Sequence, residues 1–168
     1  MLLDILFPRL CINCRKEGKY ICDKCKIFVS ESMPVCPVCG YPSNKGETHK
    51  KCLNRTLDGL TCLYDCEGLI KQLIKMIKYN DLLDAVNELI KNVSISYTYI
   101  GSVPNNELAE IIAKQLAKNN NCLLFNSQKV KNLILVDDLF EDSIKQYAKT
   151  LKQKGVENIW GFTLAKSC

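Results

Sequence analysis

The chain has 168 residues, 47% of them hydrophobic and 24% charged, which suits one soluble globular domain or a small module beside a compact one. Lys and Arg total 23 against 18 Asp and Glu, a formal net charge of +5, and no stretch reaches the roughly 18 consecutive apolar residues of a membrane span. The opening MLLDILFP is apolar but short, is broken by Asp4, and lacks both a basic start and a small-residue cleavage site, so no targeting segment is expected and the cytoplasm is the default location.

Eleven cysteines are the unusual feature. Cys11 and Cys14, Cys22 and Cys25, and Cys36 and Cys39 form three C-x-x-C pairs, and His49 with Cys52 supplies a fourth pair using the only histidine. This spacing lets two thiolates converge on one metal while backbone N–H groups of the turn bond the sulfurs. Eight ligands in four pairs make two complete tetrahedral sets for structural zinc. Disulfides fit poorly with a chain lacking a signal peptide, and a redox C-x-x-C would sit beside a βαβ pattern. Sequential pairing gives Cys11, Cys14, Cys22 and Cys25 for one ion and Cys36, Cys39, His49 and Cys52 for the other. It is preferred over a cross-brace because Cys22 to Ser30 reads as a short helix that returns Cys22 and Cys25 to the first knuckle. A region so poor in apolar residues needs metal to fold. Two filled sites would cancel most of the +5, so net charge alone does not single out nucleic acid. Cys62, Cys66, Cys122 and Cys168 lack paired spacing and read as core or terminal cysteines.

Basic residues crowd these pairs. Lys16, Lys19, Lys24 and Lys26 lie around the first set, and Lys45, Lys50, Lys51 and Arg55 around the second, with Tyr20, Phe28 and Tyr41 nearby. Such a mixture can follow a phosphate backbone and stack bases; a solvated lysine-rich surface is the simpler alternative.

From Leu57 onward the composition changes, which sets the expected boundary between residues 1–56 and 57–168. Leu60 to Tyr64 predicts a strand, and Leu69, Ile70, Leu73, Ile74 and Ile77 follow with the spacing of an amphipathic helix. Leu82 to Lys91 predicts another helix, Tyr97 to Val103 a strand stopped by Pro104, and Leu108, Ile111, Ile112 and Leu116 a third helix face. Cys122 to Phe125 is a short strand. Leu133 to Val136, a continuous apolar run ending in Asp137 and Asp138, reads as a strand buried on both faces. Ile144, Tyr147, Ala148 and Leu151 continue as a helix, and Asn158 to Leu164 as a last strand. Strands alternating with helices predict an α/β sheet of mainly parallel order. Ligands of such sheets sit beyond the carboxyl ends of the strands, which makes Asp137 and Asp138 candidate site residues.

The opening LLDILFP leading into Cys11, the Cys36-Pro-Val-Cys39-Gly40 knuckle, the Ile77-Lys-Tyr79 segment, the Val103-Pro104 strand end and the Val136-Asp-Asp138 strand end together resemble the ComF family. These are competence-associated proteins with an N-terminal zinc module and a type I phosphoribosyltransferase fold. The resemblance implies a reduced phosphoribosyltransferase-like α/β domain over 57–168. It also implies that Asp137 and Asp138 hold the ribose hydroxyls of phosphoribosyl pyrophosphate (PRPP) with Mg²⁺. By the same resemblance the protein handles single-stranded DNA beside a competence helicase, at the cytoplasmic face of the inner membrane.

The chain departs from the family where phosphate binds. Glu141 and Asp142 stand where the phosphate loop carries threonines and glycine, and their charges repel an anion while suiting the start of a helix. All three arginines, Arg9, Arg15 and Arg55, lie in the N-terminal third, so none can clamp a pyrophosphate at the sheet. Three functions stay open: a DNA-uptake accessory degenerate for PRPP chemistry, an active PRPP-dependent phosphoribosyltransferase, and a zinc-based protein–protein adaptor. If nucleic acid binds, Lys16, Lys19, Lys24, Lys50, Lys51 and Arg55 are its expected contacts.

Overall fold

A computed structural model describes residues 8–53, 56–80, 83–127 and 129–167. Behind the cysteine-rich segment the chain runs β1 (Gly59–Tyr64), α1 (Gly68–Asn80), α2 (Leu83–Ile90), β2 (Tyr99–Ser102), α3 (Glu107–Asn120), β3 (Leu123–Leu124), β4 (Asn132–Phe140), α4 (Asp142–Gln153) and β5 (Asn158–Lys166). The five strands form one sheet in the order β1-β5-β4-β2-β3, and every neighbouring pair is parallel.

Two cores explain the patterning. Leu69, Ile70, Leu73, Ile74 and Ile77 of α1 are all buried, together with Leu108, Ile112 and Leu116 of α3, against Ile134 and Val136 of β4. On the opposite face Ile144, Ala148 and Leu151 of α4 pack on Leu133, Leu135 and Ile159. Successive β4 side chains therefore enter alternate cores, which is why its sequence reads as an unbroken apolar run rather than an alternating one. Asn106 caps α3 by accepting the Ala109 N–H at 3.1 Å. The same helix closes at Asn121, which takes a left-handed conformation (φ 54°) and returns its N–H to Ala117.

The cysteine-rich segment lies along the free edge of β1. Glu31 bridges Tyr64 and Glu47 bridges Gly59, both antiparallel, so the outer edge of β1 is covered rather than left open to pairing with another chain. Gly46 permits the second of these contacts. A Cβ there would lie 2.0 Å from the Leu60 carbonyl oxygen, and its φ of +83° suits glycine besides.

Four expectations need correction. The helix predicted over Cys22 to Ser30 is only a 3-10 turn, Cys25–Phe28; Val29 turns extended and Ser30 is taken up by the β1 edge through the Asp65 N–H. The central strand does not stop before the acidic pair but runs through it to Phe140. The predicted β2 strand contracts to four residues, and the Cys122 to Phe125 strand to two. Of the helix expected from Leu82, the structure describes Leu83–Ile90, and Leu82 lies outside the described residues.

Candidate functional site

The first knuckle is a hairpin in which the Arg15 N–H reaches the Cys11 carbonyl at 2.9 Å and the Cys11 N–H reaches Lys16 at 2.8 Å. The third pair repeats it, with Gly40 bonded to Cys36 and Cys36 to Tyr41, each at 2.9 Å. Arg15 (φ 61°) and Gly40 (φ 74°) hold the same left-handed position in the two turns. The reason Cys36-x-x-Cys-Gly reads so clearly as a knuckle is thus conformational, and arginine fills the same role less comfortably.

These turns gather the eight predicted ligands into two groups, Cys11, Cys14, Cys22 and Cys25, and Cys36, Cys39, His49 and Cys52. Within each group the ligand atoms lie within 4.8 Å of one another. Zn–S bonds of about 2.3 Å in a tetrahedron put sulfurs just under 4 Å apart, so both groups fit a structural zinc ion. Sequential pairing is the arrangement found.

Electrostatics point the same way. Burial alone would raise the Cys11 thiol, but N–H groups of Cys14, Cys22 and Asn13 outweigh it and bring it down to about 6. Cys36 falls to about 6 in the same manner, burial being overcome by the N–H groups of Cys39, His49 and Val38. Cys25 goes the other way: the Asn13 amide favours its thiolate, yet burial and the neighbouring sulfurs push it up to about 12. Four thiolates cannot share so small a space unless a cation joins them. Zinc supplies that charge and the fold supplies its outer contacts. Asn13 Nδ2 donates to Cys25 Sγ at 3.3 Å. His49 faces Cys39 Sγ with Nδ1 at 3.3 Å, while Nε2 lies 3.2 Å from the Pro42 carbonyl. A proton on Nε2, donated to that carbonyl, leaves Nδ1 as the metal ligand.

The acidic pair lies toward the carboxyl end of β4. β2 and β4 are neighbours, yet α3 leaves β2 toward one face and α4 leaves β4 toward the other, so a crevice opens between their carboxyl ends. Pairing of β2 with β4 ends at Ser102 and Val136, whereas β4 continues beside β5 as far as Phe140. Asp137 and Asp138 occupy the stretch of β4 whose β2 side is open. The resulting cleft measures about 520 Å³ and is lined by Ile77, Val86, Val103 and Leu139 as well as by the acids, with Glu107 and Glu141 among its charged residues.

Both carboxylates are buried and both are already engaged. Asn106 Nδ2 donates to Asp137 Oδ1 and to Asp138 Oδ1, each at 2.7 Å. Ser143 donates to Asp137 Oδ2 at 2.7 Å, and Lys78 stands 2.5 Å from Asp138 Oδ2. Burial, with Asp138 close by, raises Asp137 to about 6. Burial acts on Asp138 too, but the Lys78 ammonium and the Asn106 amide outweigh it and hold that carboxyl below its usual range. The pair is therefore asymmetric: Lys78 and Asn106 favour the charged form of Asp138, while burial raises Asp137.

Sequence reasoning missed Asn106 and Lys78 as partners of the acids. Asn106 carried a signal only as a helix cap, and nothing local ties Lys78, 60 residues upstream of Asp138, to the crevice. The anticipated phosphate loop has almost no length: strand β4 ends at Phe140 and helix α4 starts at Asp142, leaving Glu141 alone between them. Glu141 holds the N-cap position but makes no side-chain cap bond, contrary to the capping role expected of it, and lines the cleft instead. Asp142 pairs with Lys145 at 3.1 Å instead.

Among the proposed nucleic-acid contacts, Lys16, Lys24, Lys50 and Lys51 are exposed. Lys19 is held by Asp23 at 2.7 Å, and Arg55 lies outside the described residues. Of the aromatics, Tyr20 is half-buried against the α1–α3 core, but Phe28 is 62% and Tyr41 71% exposed. Cys62 and Cys122 are free, and Cys66 packs against the α1–α3 core.

Comparison with known proteins agrees with the metal centres. A family model described as the double zinc ribbon domain matches residues 2–53. No curated protein and no solved structure matches the chain. The protein thus carries an N-terminal double zinc ribbon with two zinc-binding sites, joined to a five-stranded parallel α/β sheet. Among the described residues no helix is long and apolar enough to cross a membrane.

Proposed function

We propose that the protein is a ComF-like accessory that binds single-stranded nucleic acid. In this reading a zinc module over 1–56 is joined to a phosphoribosyltransferase-like domain over 57–168 that no longer performs PRPP chemistry. The observation that carries the reading is the exposure of Phe28 and Tyr41 on the zinc-ribbon segment, close in sequence to Lys24, Lys26 and Lys45. Exposed aromatic faces can stack bases. Lysines beside them suit a ligand that is a chain of bases on phosphates. The competence role and a helicase partner follow from the ComF resemblance.

The cleft supports the loss of chemistry. Asn106, Ser143 and Lys78 satisfy the carboxylates that would otherwise meet a sugar or Mg²⁺. Among the described residues, Lys78 is the only cation in a lining that also holds Glu107 and Glu141. An incoming pyrophosphate finds more negative charge than positive, and Glu141 alone stands between β4 and α4 where a phosphate loop would lie. The test is fluorescence anisotropy of a labelled oligo-dT strand across a salt series. Log affinity is expected to fall linearly with log salt, and Lys50→Ala with Lys51→Ala to lower both affinity and slope. Unchanged affinity and slope in that variant would remove the ribbon from the reading.

A second reading, an active phosphoribosyltransferase, draws on the position of the cleft at the point where the strand order reverses. Calorimetric titration of zinc-loaded protein with PRPP and Mg²⁺ separates the two. Micromolar binding abolished by Asp137→Ala with Asp138→Ala favours the enzyme, and no heat at millimolar ligand favours the accessory.

A further inference from the structure

The opposite end of the sheet carries a second groove, which the sequence analysis did not single out. It lies at the amino ends of β4 and β5, encloses about 530 Å³, and is walled by Phe125 and Tyr147 above Val130, Leu151 and Val156. Lys129, Lys131 and Lys154 line it, and the one carboxylate in the lining among the described residues, Glu157, is 3.3 Å from Lys131. Lys129 and Lys154 are exposed and form no salt bridge among the described residues. The cleft at the carboxyl ends has the reverse composition, with four carboxylates to one lysine.

The second zinc ribbon sits at this same end. Glu47 bridges Gly59, the first residue of β1, and the Thr48 N–H and hydroxyl bond the carbonyls of Asp58 and Leu57 at 2.9 and 2.7 Å. The Asp58 carboxylate accepts from Lys152 at 2.8 Å and from the Ile159 N–H at 2.7 Å. Lys152 in turn donates to the Glu157 carbonyl at 3.1 Å. The ribbon bearing Lys50 and Lys51 is therefore tied through Asp58 and Lys152 to the margin of the groove.

We propose that the groove walled by Phe125 and Tyr147 is a second contact for single-stranded nucleic acid. A base inserts beside the aromatic walls, and the flanking phosphates meet Lys129 and Lys154. The strand continues toward Lys50 and Lys51 on the second ribbon. The inference rests on the nucleic-acid reading above and gives it a path over the basic end of the sheet, away from the acidic cleft. An aromatic wall with a cationic rim suits a base attached to phosphate better than it suits free phosphate, which has nothing to stack. Each phosphate contact contributes about 0.7 to the salt slope of a single strand.

The experiment uses the zinc-loaded full chain and labelled oligo-dT, with a poly-glutamate peptide as competitor. Lys129→Ala with Lys154→Ala is expected to lower the salt slope by about 1.4. Tyr147→Leu, which keeps an apolar side chain over the core, is expected to weaken binding by about 5- to 100-fold as stacking is lost, with the melting temperature recorded to show that the fold survives. Should Tyr147→Leu unfold the protein, Tyr147→Trp decides: its fluorescence must be quenched by oligo-dT, and no quenching removes the base from the groove. If the wild type binds the strand and the lysine variant binds it with the same slope, the groove proposal fails while the ribbon reading stands. If the wild type does not bind at all, both fail. Displacement of the strand by poly-glutamate at equal charge concentration would overturn the proposal in favour of an acidic protein partner.

Discussion

The two zinc-binding sites share ligand spacing and hairpin geometry but hold different positions in the molecule. Cys11, Cys22 and Cys25 of the first belong to the same buried cluster as the α1, α2 and α3 side chains. Glu88 of α2 accepts the Tyr20 and Ile21 N–H groups at 3.1 and 3.4 Å, and Arg9 pairs with Asp84 at 2.8 Å. In the second site only Cys36 is buried, Cys39 is exposed, and His49 and Cys52 are half-buried. That ribbon touches the sheet along one short stretch at the start of β1. The same motif is thus used once as part of the core and once as a surface attachment, and where a metal sits relative to the apolar interior decides what its loss does.

The largest expected effect is at the first site. Structural zinc contributes on the order of 10 kcal/mol or more to folding, comparable with the whole stability of a domain. Cys22→Ser is therefore expected to abolish cooperative thermal unfolding, followed by circular dichroism. Cys39→Ser is expected to keep a cooperative transition and to lose one zinc by elemental analysis. Equal damage from the two variants would erase the comparison.

Chelation sharpens it on a kinetic axis. Zinc released to a chromogenic chelator is expected in two phases of equal amplitude, the fast one absent in Cys39→Ser. A single phase would mean that the sites open together.

A smaller effect is expected at the joint between the first ribbon and α2. Glu88→Gln keeps one acceptor for the Tyr20 and Ile21 N–H groups but removes the charge. Hydrogen bonds to charged groups are worth about 1.5 to 3 kcal/mol, so a loss of about 1 kcal/mol is reasonable. It would lower the melting temperature by about 2 to 4 °C. The smallest effect on stability belongs to Lys50→Ala with Lys51→Ala, exposed positions whose change should move the melting temperature by less than a degree or two while altering the salt dependence of strand binding.

Much of this architecture was legible in the sequence. C-x-x-C spacing is a geometric constraint on the chain itself, so all eight ligands could be read before any fold was known; the spacing leaves their pairing open, and the sequential order preferred for a helix after Cys22 is found although only a 3-10 turn forms there. Leu69, Ile70, Leu73, Ile74 and Ile77 revealed their helix because one face is buried for its whole length. Two-sided burial likewise announced β4. Legibility failed where a residue's role depends on distant parts of the chain. Asp137 and Asp138 were found, but as the end of a strand, since no local signal says that β2 stops pairing at Ser102 while β5 continues to Lys166. Asn106 and Lys78 come to the acids from two other elements. The helix expected after Cys22 gave way because the edge of β1 claims the backbone from Ser30 onward, a tertiary demand that local propensity does not contain. The basic groove at the amino end joins Phe125, Lys129, Tyr147 and Lys154, which no periodicity links.

On the proposed reading the first zinc holds the fold, and the second holds Tyr41, Lys45, Lys50 and Lys51 in the part of the nucleic-acid surface that lies on its ribbon. Anisotropy of labelled oligo-dT with the zinc-loaded Cys39→Ser protein tests it most directly. The expected result is one bound zinc, a cooperative melt, and strand affinity at least tenfold weaker than wild type. Wild-type affinity in a protein that has lost its second zinc would contradict it.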